Sequence, residues 1–565
     1  MRLLRLGALC ASAAPGVLAG WYVTALLWFL NPELPLEPWR ILPTLALYGA
    51  LLGGVSAALG SAAWLGRDAQ RAFRALPWSL STMLLGGAAL YAVQASHFAY
   101  YLPAGINTRL LKAAFWLAVG GLVSLNTALL HAWSGRRYGW RSRAALWLVA
   151  VASLFLVFER REAYRPQPEP TPASALGSPR ALSLIVVGLD GALPEVVLPL
   201  AEQGQLPFFD RMVRGGVVAR LRPLRPIDPT VSWTTVATGK FPFRHGVRGA
   251  TAFGRGRWPP RHRLDLLPVG LALRTWAPLG PTRRLDAGDR HARALWEILP
   301  LLDHAAAVIG WPLVEPSDLA PPFAFDDAFF RGAGDRISDP GLATTGRLFR
   351  PDAEDLAAIL REEFPAARRD LLATSLEQDL WRATLAATLA ERDGSPTVLF
   401  LRLPGLDPVS RRTFGAYSAR VLDGRAGDDL APDSDTLVGY YMRLDEMLSD
   451  LWRRTAGSSR MLVVVSPWGG RPPRFLERPA ALLPLDDGTP DADGIFLALG
   501  DDIRGRAVLQ DLGPEDVMPT ILYALGLPQA RDLDGDAVTE AFEPDFVVRQ
   551  PLAFVPSYDT LSPGS

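Results

Sequence analysis

Four apolar runs, about Leu6–Leu30, Ile41–Leu65, Trp78–Leu102 and Leu110–Trp133, constrain this chain more than any other feature. Each reaches the ~20 residues needed to cross a ~30 Å hydrocarbon core. In that medium a single segment satisfies its own backbone hydrogen bonds only as a helix. A fifth run, Ala144–Phe158, is shorter, but Trp140 precedes it and Arg160 and Arg161 follow it. Arginines at a helix end snorkel, so a tilted or thinned crossing is expected there. The first run is long and further spans follow at once, which reads as an anchor rather than a cleaved signal peptide. Residues 1–160 are therefore expected to form an all-α membrane domain of about five helices.

Loop charges orient that domain. Arg2 and Arg5, then Arg67, Arg71 and Arg74, then Arg136, Arg137, Arg141 and Arg143 alternate with poorer loops holding Arg40, or Arg109 and Lys112. Positive charge collects on the cytoplasmic side. The N-terminus is thus expected in the cytoplasm and, after five crossings, the large C-terminal domain outside it. If the fifth run lay in the interface instead, that domain would be cytoplasmic. Gln94 and His97 stand beside Phe98, Tyr100 and Tyr101, which reads as an interfacial aromatic belt, with a functional pair inside the membrane as the alternative. Apart from Lys112 at the start of the fourth run, the spans carry no charged group, which leaves transport the least supported function. The single cysteine, Cys10, excludes an intrachain disulfide, and a formal net charge of zero gives no case for a nucleic-acid partner.

Past the membrane domain, residues 161–180 are rich in Pro, Ala and Ser and read as an extended linker. A large domain is expected over 181–545 and a C-terminal tail over 546–565. Short apolar runs at 182–188, 306–311, 397–403, 461–466 and 494–499 alternate with helical patterns, among them 194–215, 352–364 and 436–454. Such alternation predicts an α/β domain, a mainly parallel sheet sandwiched by helices. The first run ends in Gly-Leu-Asp-Gly, so Asp190 is delivered at a strand's carboxyl end, where open α/β sheets gather ligand-binding groups. One stretch fits less neatly: Gly254 to Arg293 carries eleven Arg or His around an apolar island. It reads as a solvated surface insertion or as a cap on anionic lipid headgroups.

The Gly-Leu-Asp-Gly strand end, the Trp-Thr-Thr-x-x-Thr-Gly segment Trp233–Gly239 and the Pro-x-x-His-Gly segment Pro242–Gly246 resemble the type I phosphodiesterase/nucleotide pyrophosphatase branch of the alkaline phosphatase superfamily. Later segments agree in order, among them GLDPVS, LVVVS and DGIFLALG, so the resemblance covers roughly residues 181–540. It implies that superfamily's fold and hydrolysis of phosphate diesters by two zinc ions. The ions would be held by aspartates and histidines, and the nucleophile would be Ser or Thr.

Carried over residue by residue, the resemblance implies a degenerate pocket. Asp190 and Asp407 are the surviving metal positions. The histidine expected four residues after Asp407 is Arg411, the family's Asp-His pair is Pro467-Trp468, and the last expected histidine is Pro490. The nucleophile position is Pro229, with Thr230 and Ser232 as the nearest hydroxyls. The six histidines end at His304, ahead of every segment that supplies the family's metal histidines. No metal is therefore expected, and a pseudoenzyme acting by binding or scaffolding in the cell envelope follows. Arg411 is expected to pair with Asp407, and the Trp468 ring to fill the vacated volume. The alternative is an active phosphodiesterase or lipid-headgroup phosphotransferase using Mg²⁺ or Ca²⁺ on Asp190, Asp228, Asp407, Asp491 and Asp493. Expected partners are the lipid bilayer, anionic lipid headgroups or another envelope protein.

Overall fold

The computed structural model describes residues 2–561 except 35, 65–69, 137, 158–170, 172–179, 254–263, 270–281, 303, 333–339, 365–368, 392–396, 426–429, 456–458 and 472–491. The chain divides into two compact units. The first holds Met1–Arg165 and, out of sequence, Thr251–Arg284. Its helices are α1 (Arg2–Leu30), α2 (Pro38–Trp64), α3 (Gln70–His97), α4 (Ala104–Ser134) and α5 (Trp140–Leu156). Four of these, α1 to α4, are long and apolar enough to cross a membrane. The 17 residues of α5 span only about 26 Å at 1.5 Å per residue.

Small residues and polar side chains knit the bundle, as in a medium where apolar contact alone gives helices little reason to associate. A Cβ on Gly20 of α1 would lie 2.6 Å from the Gly49 nitrogen of α2, so the two backbones nearly touch. The Tyr91 hydroxyl donates to the Tyr22 carbonyl at 2.9 Å, and Tyr22 in turn donates to Ser153 Oγ at 2.8 Å. Trp21 Nε1 donates to the Leu154 carbonyl at 2.9 Å, which fixes the C-terminal end of α5 against the last third of α1.

Over its described residues the basic insertion is anchored on the helices of the first unit, while Arg283 and Arg284 at its root are exposed. Strands β3 (Thr251–Phe253) and β4 (Thr282–Arg284) pair antiparallel at its root. Between them, Leu264 and Leu267 pack on Val23, Leu27, Trp28, Leu34, Ile41 and Tyr48. Asn31, at the end of α1, accepts from the Asp265 and Leu266 backbone N–H groups at 2.8 and 3.0 Å and donates to the Leu266 carbonyl at 2.8 Å. Gln94 of α3 donates to the Val269 carbonyl at 2.8 Å and accepts from its N–H at 2.9 Å. Both amides are buried. Gln94 is thus neither half of an intramembrane pair with His97 nor a member of an aromatic belt; it holds the insertion's backbone.

The second unit is built on an eight-stranded sheet. With β1 (Ser183–Leu189), β2 (Val217–Leu221), β5 (Ala306–Ile309), β6 (Phe323–Phe325), β7 (Val398–Leu403), β8 (Arg460–Ser466), β9 (Gly494–Gly500) and β10 (Ala507–Leu512), the order is β10-β2-β9-β8-β1-β7-β5-β6. Only β9 runs against its neighbours. The central strands are apolar on both faces because both are covered. Ile185, Val187 and Leu189 enter one core, while Leu184 and Val186 enter the other. The helical stretch expected over 194–215 is two helices, α6 (Pro194–Glu202) and α7 (Pro207–Gly215). The C-terminal stretch packs into this unit, with Val555, Tyr558 and Leu561 buried. Its Asp559 shares Lys240 Nζ with Asp532, at 2.7 and 2.6 Å. The parallel trio β8-β1-β7 places the loops carrying Trp468, Asp190 and Asp407 side by side at one edge.

Candidate functional site

Asp190 follows the last residue of β1, and its own N–H is tied to the Leu403 carbonyl of β7 at 3.1 Å. Its carboxylate is buried and fully engaged. Arg402 Nε donates to Oδ1 at 2.9 Å and Nη2 donates to Oδ2 at 2.5 Å, a two-pronged match of guanidinium to carboxylate. The Trp233 indole N–H adds a third bond to Oδ1 at 2.8 Å. Trp233 lies on helix α8 (Pro229–Thr238), whose start is capped by Asp228 Oδ1 accepting from the Thr230 and Val231 N–H groups. Burial pushes the Asp190 carboxyl above its ordinary range, against the opposing pull of Arg402.

Arg402 was not among the residues expected here. It is the one charged residue in the apolar strand VLFLRL, and an arginine on a strand buried on both faces must have a carboxylate partner. That was the available signal. Its Nη1 also lies 3.6 Å from Asp327 Oδ1, which Arg382 holds at 2.9 Å. Burial alone would lower the Arg402 pKa, but Asp190 and Asp327 more than offset it and hold the guanidinium charged. Deeper still, Asp379 of helix α9 (Arg369–Glu391) accepts from the Gly405 N–H at 3.0 Å and from the Tyr440 hydroxyl at 2.8 Å. Burial pushes its carboxyl up to about 7 despite the Tyr440 bond and Arg382.

Asp407 opens helix α10 (Leu406–Tyr417) immediately beyond β7. Trp468 Nε1 donates to its Oδ1 at 3.1 Å, and Arg411 Nε lies 2.9 Å from Oδ2 as an ion pair without a well-directed hydrogen bond. The Arg411 side chain is 33% exposed, whereas Arg402 is 7% exposed. The deep, locked pair of this site is therefore Arg402–Asp190, not Arg411–Asp407. Gly191 brings the two carboxylates together: at φ +80° it has no side chain, and a Cβ there would sit 2.8 Å from Asp407 Oδ1. Beneath them Trp233 packs edge-on to Trp311 at 4.8 Å and to the fully buried Trp468 at 5.9 Å. Pro467 is also buried.

The hydroxyls stand apart. Thr230 is half-buried in the first turn of α8, Ser232 Oγ is buried with no hydrogen-bond partner, and neither bonds to Asp190 or Asp407 among the described residues. Pro490 and Asp491 lie outside the described residues. Asp493 is 44% exposed and 3.8 Å from Arg220, and Asp228 is occupied with its helix cap, so the remaining aspartates do not gather round Asp190. His245 belongs to a structural turn. Its Nδ1 accepts from the Val247 N–H, which leaves Nε2 to donate to Thr235 Oγ1 at 3.1 Å. Burial, then the nearby Arg290 and Arg248, hold its pKa well below the usual value.

Among the described residues, no three His, Cys, Asp or Glu side chains converge as metal ligands. More directly, the donors that remain do not fit a pair of zinc ions. Both oxygens of Asp190 already accept from one guanidinium, and where the family resemblance expects the imidazoles that zinc favours stand Arg411 and Trp468. What the arrangement does chemically is neutralise two adjacent carboxylates from within.

Residues 184–473 match the sequence model of the type I phosphodiesterase/nucleotide pyrophosphatase family. A comparison of whole sequences with curated proteins gives no match. Among solved structures, a phosphonoacetate hydrolase from Sinorhizobium meliloti 1021, in complex with phosphonoformate, aligns at 17% identity and TM-score 0.33; the match covers 54% of this chain and 60% of that one. Murine ectonucleotide pyrophosphatase/phosphodiesterase 5, as an inactive variant in complex with AMP, aligns at 12% identity and TM-score 0.37, covering 64% and 100%. A putative sulfatase from Bacteroides thetaiotaomicron aligns at 10% identity and TM-score 0.37, covering 64% and 75%.

Two outcomes are expected of this site. Arg402→Met leaves a buried carboxylate uncompensated and should cost on the order of 3–5 kcal/mol, whereas the half-exposed Arg411→Ala should cost about 1 kcal/mol or less; denaturant melts of the two variants check the contrast. The second concerns pH. A carboxyl whose folded pKa stands above its unfolded value binds its proton more tightly in the native state, so its stabilisation is present at low pH and declines as pH rises. For Asp379 that contribution is complete below 3.8 and lost once the pH passes about 7. Asp379→Asn should therefore gain stability relative to the parent as pH rises through that window, by about 1.4 kcal/mol for each pH unit separating the folded and unfolded pKa values. Melting both proteins between the two limits measures it.

Proposed function

For a chain that belongs to the type I phosphodiesterase/nucleotide pyrophosphatase family, we propose a membrane-anchored role exercised by binding or scaffolding in place of metal-dependent hydrolysis. The observation that carries this reading is the two-pronged Arg402–Asp190 pair, in which a guanidinium takes both oxygens that the family resemblance assigns to a cation. Arg411 stands beside one oxygen of Asp407, Nε to Oδ2 at 2.9 Å, as a more exposed ion pair. Two fixed positive charges thus stand in for two metal ions. Unlike metals, they supply neither an activated nucleophile nor an open coordination position for substrate.

The proposed orientation puts the N-terminus in the cytoplasm and the large domain outside it, with the bilayer as standing partner and an anionic headgroup or envelope protein as the bound one. Nine basic residues on one set of loops against three on the other support it. The pairing of Trp21 and Tyr22 with Leu154 and Ser153 supports counting α5 as a fifth crossing, since the C-terminal ends of α1 and α5 then share one side.

Two measurements test the proposal. Purified full-length protein should carry less than about one zinc per chain and show no chelator-sensitive hydrolysis of a generic phosphodiester, because its donor set lacks the imidazoles zinc requires. Stoichiometric zinc at Asp190 or Asp407, or chelator-sensitive turnover, would sink it. For orientation, a reporter active only outside the cytoplasm should be active when fused near Pro170 and silent near Arg137. The same signal at both positions would remove the fifth crossing.

A further inference from the structure

Within the first unit, α1 packs along both α2 and α3, which meet each other only sparsely. The gap between them is a cavity of ≈ 620 Å³, lined by residues between Ala11 and Ala19 on α1, Leu52 and Gly60 on α2, and Ala75 and Met83 on α3. Exposed Val55 and Leu59 are part of that lining, so the cavity opens as a groove on the outside of the bundle. Eight rises of 1.5 Å make each of these stretches about 12 Å long, less than half of a ~30 Å hydrocarbon core. The spans of α1 and α3 begin at Arg5 and Arg74, and that of α2 ends at Ala62. The groove therefore lies in one half of the bundle, the half nearer the N-terminus.

The walls select hydrocarbon. Ser12, Ser56 and Ser79 are their polar side chains, and each hydroxyl donates to a backbone carbonyl: to Ala8 at 2.9 Å, to Ser12 at 2.7 Å and to Leu76 at 2.9 Å. A buried water needs about two to four polar partners, and these donors are already spent. Size narrows the occupant further. At about 30 Å³ for a methylene-sized group the groove holds about twenty, which is one acyl chain. A helix 10 Å wide would need about 900 Å³ over the same length, so a partner's membrane span does not fit. Apolar contact alone gives little preference within a bilayer; the preference comes from the polar end. Arg74 directly precedes the lining residue Ala75, Arg5 stands less than two turns before Ala11, and both are exposed where their spans begin. Basic residues at that level attract anionic headgroups.

We propose that this groove holds one acyl chain of an anionic bilayer lipid, with the chain between α1, α2 and α3 and the headgroup beside Arg5 and Arg74. A lipid held this way is a fixed part of the bundle rather than one of the exchanging molecules around it, because it closes the gap that α2 and α3 leave. The site rests on the membrane-anchored reading above and is indifferent to what the large domain binds.

Native mass spectrometry of delipidated full-length protein in detergent, titrated with phosphatidylglycerol, phosphatidylcholine or palmitate, tests it. The first phosphatidylglycerol should bind about tenfold or more tighter than the second, and than either phosphatidylcholine or palmitate. Ser79→Phe and Ala75→Leu, which fill the groove from α3, should melt like the parent and weaken that first lipid by about tenfold or more. Leu122→Phe, at an exposed position of α4 outside the groove, should leave it unchanged. Arg5→Gln combined with Arg74→Gln should bring phosphatidylglycerol down to the affinity of phosphatidylcholine. Successive lipids that bind alike, groove-filling variants that bind like the parent, or a Leu122→Phe variant that loses the lipid equally overturn the site. Palmitate binding as tightly would assign the groove to a free fatty acid, and a preference that survives the arginine double variant would remove the anionic headgroup; either overturns the proposal. Protein that leaves membranes in salt alone would instead overturn the anchoring on which the site rests.

Discussion

The Arg402–Asp190 pair is the interaction on which the rest of the large domain's centre depends. Two carboxylates brought together by the Gly191 turn repel each other in a buried setting unless cations intervene. Burying an arginine from the middle of a central strand is equally unfavourable alone. Together the two charges cancel, and Trp233 completes the hydrogen bonding of Oδ1. The guanidinium carbon also lies 5.7 Å from the Trp233 ring centroid, so the aromatic floor helps to hold the cation it surrounds. Asp327 and Arg382 extend the same alternation of sign inward, toward an Asp379 that burial drives close to neutrality.

On the binding role proposed above, this arrangement separates the family's fold from the family's chemistry. The sheet still delivers its loops to one edge, because β8, β1 and β7 remain parallel neighbours whose cores are packed on both faces. Cations are still required there. On the proposed role, the chain itself carries them covalently, as Arg402 and Arg411. A guanidinium has a fixed geometry and no exchangeable position, and so it stabilises the ground-state fold rather than a developing charge.

Much of this was legible before any coordinates. The Gly-Leu-Asp-Gly strand end, the central strands and the membrane runs follow from apolar period and length, and those signals are strong where burial is two-sided. The edge strands β6 and β10, and β2 beside the latter, were not legible. β10 pairs only with β2, and its burial is patchy, while β6 has three residues. Arg411 was visible as a neighbour of Asp407 because four residues on a helix bring side chains together. Arg402 meets Asp190 across two strands, a relation that only the strand order supplies. The insertion's anchorage was hidden for a similar reason. Its basic composition describes a surface, but its described residues are held through backbone groups, to which composition is blind.

That backbone grip has a consequence for how the molecule is made. Asn31 and Gln94 leave the ribosome within the first hundred residues, and their amides have polar needs that hydrocarbon cannot meet. The groups that satisfy them, on Asp265, Leu266 and Val269, are synthesised some way into the next domain. The helical bundle is therefore incomplete as a folding unit until the chain has run on past Ala250 and come back to it. The returning segment is held through its backbone N–H and C=O groups as well as through the side chains of Leu264 and Leu267. The first unit is thus finished by a segment that arrives from far along the chain, in the manner of an arch closed by its last stone.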